Sequence, residues 1–166
     1  MSIGSPKMIQ RLAAAASGPS NSAAHTRIDA WDAPANSLAP GKLINWTGAV
    51  VQSAVNGTDT LRVRCLVGAT TLTGTAVADS GAVTGAANNT ITWQLWVQIL
   101  TVSTAVVWGS YSILGVIGTV THRAAYTALS SLDLTAALRF EVTGLFGAAS
   151  AGNVCACQAN VYTEWT

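Results

Sequence analysis

Thr60-Leu61-Arg62-Val63-Arg64-Cys65-Leu66-Val67-Gly68 sets apolar Leu61, Val63, Cys65 and Val67 against Arg62, Arg64 and Leu66. A period of two sends successive side chains to opposite faces of an extended chain, so this run reads as a strand with one buried face. The same period recurs downstream. Thr90 to Val102 places Trp93, Leu95, Val97 and Ile99 on one side and Thr92, Gln94, Trp96 and Gln98 on the other. Ala136 to Leu145 alternates Leu138, Phe140 and Val142 with Arg139, Glu141 and Thr143, and Asn153 to Trp165 follows a loop from Gly147 to Gly152. Weaker strands fit Arg27 to Trp31, Leu43 to Gln52, Thr70 to Ala78, Val106 to Leu114 and Val116 to His122, about nine strands in all. Turn signals at Asn56-Gly57, Asp79-Ser80-Gly81 and Asn88-Asn89 separate them at short intervals, which suits antiparallel connections. Only Leu129 to Leu138 has room for a short turn of helix after residue 24. The expected fold is all-β: an antiparallel β-sandwich, of jelly-roll type because its strands and crossing loops are long.

Residues 1–24 differ. Lys7 to Ala16 has room for one short helix, and Ser17 to Ala24 holds only Ser, Gly, Pro, Asn and Ala. Such a segment builds no core of its own. It is expected to be an extended or short-helical N-terminal arm, ordered by docking on a partner, with residues 25–166 forming the sandwich.

Composition narrows the function. Charged residues make up 9% of the 166, hydrophobic ones 50%, and the net charge is +1. An ordinary soluble domain is about a quarter charged, so small, apolar and hydroxyl-bearing groups must here cover surface that charge normally keeps wet. Such surface usually meets other protein. Eight scattered basic residues do not make the clustered patch that neutralises phosphates, so nucleic acid is not an expected partner. The longest apolar-rich stretch, Ile91 to Gly118, is interrupted by Gln94, Gln98, Ser103, Ser110 and Ser112 and fails the test of about 20 predominantly apolar residues for a membrane span. Gln10 and Arg11 interrupt the only candidate export signal.

Chemistry-bearing residues are sparse. Cys155-Ala156-Cys157 projects two sulfurs from one face of a strand, but zinc needs about four ligands and only Cys65, His25 and His122 remain, each isolated. Buried reduced thiols are the expectation. No GxSxG, HExxH, phosphate loop or paired carboxylate occurs, and neither an enzyme nor a cofactor is expected. Of the six tryptophans, three read as core, Trp93 among them, whereas Trp96 shares a face with Gln94 and Gln98 and is the one presented outward. A rigid outward aromatic serves either as an interface anchor or as a platform for sugar rings, and the shortage of charge favours the anchor. With Lys7, Arg11 and Leu12 of the arm, Trp96 completes the candidate interface residues.

The run Leu138-Arg139-Phe140-Glu141-Val142-Thr143-Gly144, the loop Ala148 to Asn153 and the terminal strand Val154 to Trp165 resemble small bacteriophage virion proteins of jelly-roll type. The resemblance covers roughly the last 35 residues and transfers no site. It implies a location in the virion and copies that form homotrimers, decorating a capsid or tipping a fibre. Without a collagen-like repeat or heptads that would mark a fibre shaft, it points to a capsid cement protein clamping adjacent major capsid proteins at local threefold positions, its arm laid across them. A glycan-binding domain of a tail or head fibre is the alternative.

Overall fold

The computed structural model describes residues 6–11, 16–20, 23–54, 59–69, 72–84, 89–114 and 120–165. Its strands are β1 (Lys7–Arg11), β2 (Ala16–Ser20), β3 (Thr26–Ala33), β4 (Leu43–Ala54), β5 (Thr60–Gly68) and β6 (Thr75–Asp79), followed by β7 (Val83–Thr84), β8 (Asn89–Ile99), β9 (Ala105–Leu114), β10 (Val120–Leu129), β11 (Leu138–Phe146) and β12 (Val154–Trp165). There is no helix among the described residues.

All pairings are antiparallel, and they form two sheets. The larger runs β1-β12-β4-β8-β9-β10 with β2 also on β12, and the smaller runs β3-β11-β5-β6 with β7 also on β5. Arg11 lies opposite Val161 and Ala16 opposite Cys157, so β1 and β2 are two halves of one interrupted strand along the edge of β12. Counting that strand first, β3 to β6 as second to fifth, and β8, β11 and β12 as sixth to eighth, the sheets read first-eighth-third-sixth and second-seventh-fourth-fifth. This is the order of a jelly roll, and the β9–β10 hairpin is an addition that widens the larger sheet beyond β8.

Two local expectations are corrected. The short helix at Lys7 to Ala16 is strand at Lys7–Arg11 and again from Ala16, with 12–15 outside the described residues. A lone helix of about ten residues is marginal in water, whereas pairing with β12 satisfies backbone groups on both chains. The helical turn at Leu129 to Leu138 is absent as well: β10 ends at Leu129, and the next residues form a loop held by Leu132 N donating to Ser103 O and Asn36 N donating to Leu134 O. Eight of the nine expected strands are present within a few residues of their expected bounds, while the ninth, Val116 to His122, lies mostly outside the described residues and the strand found there runs on to Leu129; β1, β2 and the two-residue β7 are added.

The sheets meet on a cluster of aromatic rings. Trp31, Trp46, Trp93, Phe140 and Tyr162 are buried, with Trp31 stacked on Phe140 at 5.0 Å and Trp46 on Tyr162 at 5.4 Å between ring centroids. Trp93 lies over Gly48 on the neighbouring strand, where an added Cβ would meet its ring at 2.1 Å. Threading the cluster is a polar chain: Trp46 Nε1 donates to Asn160 Oδ1 at 2.7 Å, while Asn160 Nδ2 donates to Asp29 Oδ2 at 2.6 Å and to Tyr162 Oη at 3.1 Å. Tyr162 Oη in turn donates to the Phe140 carbonyl at 3.3 Å. The chain joins β4 and β12 of one sheet to β3 and β11 of the other.

The alternation of β11 misleads in one respect. Glu141 and Thr143, on its supposedly open face, are 1% and 0% exposed. The loop after β5 returns over that face, and Leu72 N donates to Glu141 Oε2 at 2.9 Å. The three cysteines are free and buried, and burial pushes the thiols of Cys155 and Cys157 up to about 12.

Asn160→Ala should cost about 3 kcal/mol in urea unfolding, since it strands the Trp46 indole N–H and removes the amide shared by Asp29 and Tyr162. A loss below ~1 kcal/mol would show that the polar chain does not hold the sheets. Iodoacetamide should leave all three thiols unmodified in the native protein and react with them once urea unfolds it.

Candidate functional site

Charge is divided between the two outer faces. Arg27, Asp32, Arg62, Arg64, Asp79, Arg139 and Glu141 share the outer register of the smaller sheet, opposite in parity to buried Leu61, Val63, Phe140 and Val142. They are largely paired there. Arg62 grips Asp79 through Nε at 2.7 Å and Nη2 at 2.5 Å, Arg64 Nε adds a contact at 2.8 Å, and Arg139 forks onto Asp32 at 2.6 and 2.7 Å. Burial would raise the Asp79 pKa, but the hydrogen bonds from Arg62, Gly81 N and Arg64 outweigh it and bring it down to about 2. Arg62 and Arg64 are therefore spent on a neighbouring strand and do not form a basic patch.

The larger sheet is the opposite case. β4, β8 and β9 contain no Asp, Glu, Lys or Arg; β12 has only Glu164, at an inward register position opposite Ile44, β10 has only Arg123, paired with Tyr111, and the edge strand β1 has Lys7 and Arg11, the latter opposite Val161. Outward positions with described side chains are filled by Thr, Ser, Gln, Asn, Ala, Val, Leu and aromatic residues. Register sets them in rows. One row reads Trp165, Leu43, Gln98, Val106, Ala128 across five strands, and the next reads Thr163, Asn45, Trp96, Trp108, Tyr126. The rings of Trp96 and Trp165 approach to 6.1 Å at 51°. Tyr126, at the open end of its row, is 74% exposed.

The candidate interface residues of the sequence are not brought together. Lys7 is exposed at the start of β1 opposite Glu164, Arg11 ends that strand, and Leu12 lies outside the described residues. Trp96 stands in the middle of the sheet with β12 and β4 between it and β1, facing outward as its alternation requires. Trp108, Tyr126 and Trp165 join it only through register. Their own strands show alternation, but which residue sits beside which is decided by pairing across 30 to 70 residues of sequence.

Among the described residues no acid–base site is assembled. Burial and then Arg64 and Arg62 hold His25 below its usual pKa, and the one nearby carboxylate, Asp79, is already taken by both guanidinium groups. The side chain of His122 lies outside the described residues. Among the described residues no three His, Cys, Asp or Glu side chains converge as metal ligands.

Neither a protein-family model nor a curated protein matches the sequence. Two solved structures of infectious bursal disease virus are similar over 98% of the chain: the Gt strain at 12% identity and a TM-score of 0.38, and the Gx strain at 13% and 0.41. The chain spans 34% and 32% of the lengths of those chains.

The Asp79 clamp has a pH signature. Its folded pKa lies below the ordinary 3.8, so its stabilisation is complete above about pH 4 and is lost as pH falls through about 2. Asp79→Asn should lower the urea midpoint at pH 7, and the gap from wild type should close as the pH approaches 2. A gap unchanged by pH would refute the clamp.

Proposed function

We propose that this chain is a structural virion protein, a cement or decoration subunit that lies against major capsid proteins through the outer face of its larger sheet. One observation carries the reading: the outward register of β12, β4, β8, β9 and β10 holds no Asp, Glu, Lys or Arg, while five of the seven charged residues on the opposite face are ion-paired. Five strands about 4.8 Å apart, each about ten residues long at ~3.4 Å per residue, give it ~800 Å². That is the area each partner buries in a standard stable interface, about 800 Å². Burying this face desolvates no unpaired charge, and its tryptophans are rigid anchors of the kind that dominate binding energy.

The resemblance to phage virion proteins supplies the virion and the capsid partner, and it carries the trimer at local threefold positions. In this reading the N-terminal segment works differently from a free arm, because β1 and β2 also cover the edge of β12. Capsid attachment through Lys7, Arg11 and Leu12 would therefore be coupled to the integrity of that edge.

A glycan-binding role is the second reading, and the placement of Trp96 beside Trp165, with Asn45 and Gln98 on adjoining positions, favours it over other binding roles. Sugars would stack on the rings and take hydrogen bonds from the amides.

Quantitative mass spectrometry of purified virions should find the chain in hundreds of copies; a few dozen would favour a fibre. Gln94→Lys, at an exposed position of this face, should weaken binding to undecorated capsids at least about tenfold without changing the melting temperature, because a charge is then buried unpaired on binding. Unaltered binding would rule out this face, and specific signals on a glycan array that Trp96→Ala removes would transfer the assignment to the glycan reading.

A further inference from the structure

The two sheets have four edges, and three are blunted. The β1/β2 edge is interrupted, shifts register at Met8/Gln10 and contains Pro19, which has no N–H to offer. The β3 edge breaks register at Val142/Thr143 and carries Arg27 and Asp32. β6 is five residues long, shifts register at Cys65/Leu66 and ends in the Asp79 clamp.

β10 has none of these devices. All ten of its residues pair with β9 in unbroken register, from Val120 opposite Leu114 to Leu129 opposite Ala105, and it contains neither Pro nor Gly. From Ala124 to Leu129 it carries no charge. Among the described residues it has one strand neighbour, so the alternate backbone N–H and C=O groups on its other side form a ready pairing template. It also belongs to the hairpin that is additional to the jelly roll.

We infer that β10 is the edge through which two copies of this chain pair, antiparallel about a twofold axis that sets Tyr126 beside its counterpart. A second copy fits for three reasons. In that register Ala124 faces the partner's Ala128 and Ala125 faces its Thr127, so small uncharged side chains meet and no like charges oppose. The aromatic row through Trp96, Trp108 and Tyr126 stops at the edge with its last ring exposed, and the twofold copy continues it, pairing aromatic groups across strands. The area fits the reversible dimer tested below. Beside β10 the wall of the sandwich includes the edge of β6 and an open groove between them lined by Ala76, Ala78, Ala125 and Tyr126 and by Asp79, whose charge is already held by Arg62 and Arg64. In this register Arg123 to Leu129 of the two copies overlap, about 24 Å of strand, which by about 20 Å across both layers gives ~480 Å² per copy, the size of a weak, reversible interface.

This contact is isologous and makes a dimer. The threefold arrangement that the resemblance implies needs a different, heterologous surface. The inference does not depend on what the larger sheet's outer face binds, and its test uses the purified full chain alone. Sedimentation equilibrium should show reversible dimers, and Tyr126→Lys with Ala128→Lys should weaken the dimer at least about tenfold while the melting temperature stays that of wild type, since both sites are exposed. Under mild oxidation Ala124→Cys and Ala128→Cys should cross-link to each other in preference to themselves, the native thiols being buried. A wild-type chain that stays monomeric up to its solubility limit would overturn the inference. So would a dimer or trimer indifferent to the two lysines, or cross-links without the predicted preference.

Discussion

Asn160 is the group on which both sheets depend. A side-chain amide sealed between sheets must fill its donor and acceptor positions from protein, because no solvent is at hand to do so. Here its oxygen takes the Trp46 indole and its nitrogen serves Asp29 and Tyr162, so one residue of β12 fixes partners on β3 and β4. Rings stacked around it supply area, which is indifferent to small slips. The hydrogen bonds supply register, which is not. A slide of β12 by one residue would turn Asn160 outward and leave the indole, the carboxylate and the phenol unmatched together.

With that register held, the face opposite the core is also determined. Tyr162 and Trp46 point in, so Thr163 and Asn45 point out; Leu95 points in, so Trp96 points out. The outer row is therefore a consequence of the inner one, read one residue along. This explains why four aromatic residues line the outside of a sheet whose sequence shows no aromatic motif. It also places the shortage of charge: three central strands have none, and the largest ion-paired group, Arg62, Arg64, Asp79, Arg139 and Asp32, lies on the other sheet.

Strand existence was legible because the faces of β5 and β8 differ so much in polarity, and Trp96 was correctly turned outward on that basis. β11 was legible as a strand but not as one buried on both sides, since alternation of Arg139, Glu141 and Thr143 with apolar residues says nothing of a loop folding back over the polar face. The strands β1 and β2 were hidden for a different reason. Their residues, Ser, Gly and Ala among them, have little preference of their own and become extended only because β12 offers an edge, which is tertiary information. The aromatic row and the open edge of β10 were illegible for the same cause. Both are properties of pairings between strands distant in sequence.

A neutral face and an unblunted edge on the same sheet bear on each other. A sheet this poor in charge is a liability if its edge pairs without limit, but an isologous pair closes on itself and leaves no further β10 to recruit. With β10 paired as inferred, the outer faces of two copies become one continuous neutral surface carrying the aromatic row twice. Docking of the first half on a repetitive partner then makes docking of the second intramolecular, so a face of modest affinity is held far more tightly by the pair than by either copy. A repeating lattice rewards such an arrangement and a single soluble ligand does not. On this ground the added hairpin, which supplies both Tyr126 and the edge, fits a protein that coats a surface better than one that captures a free sugar.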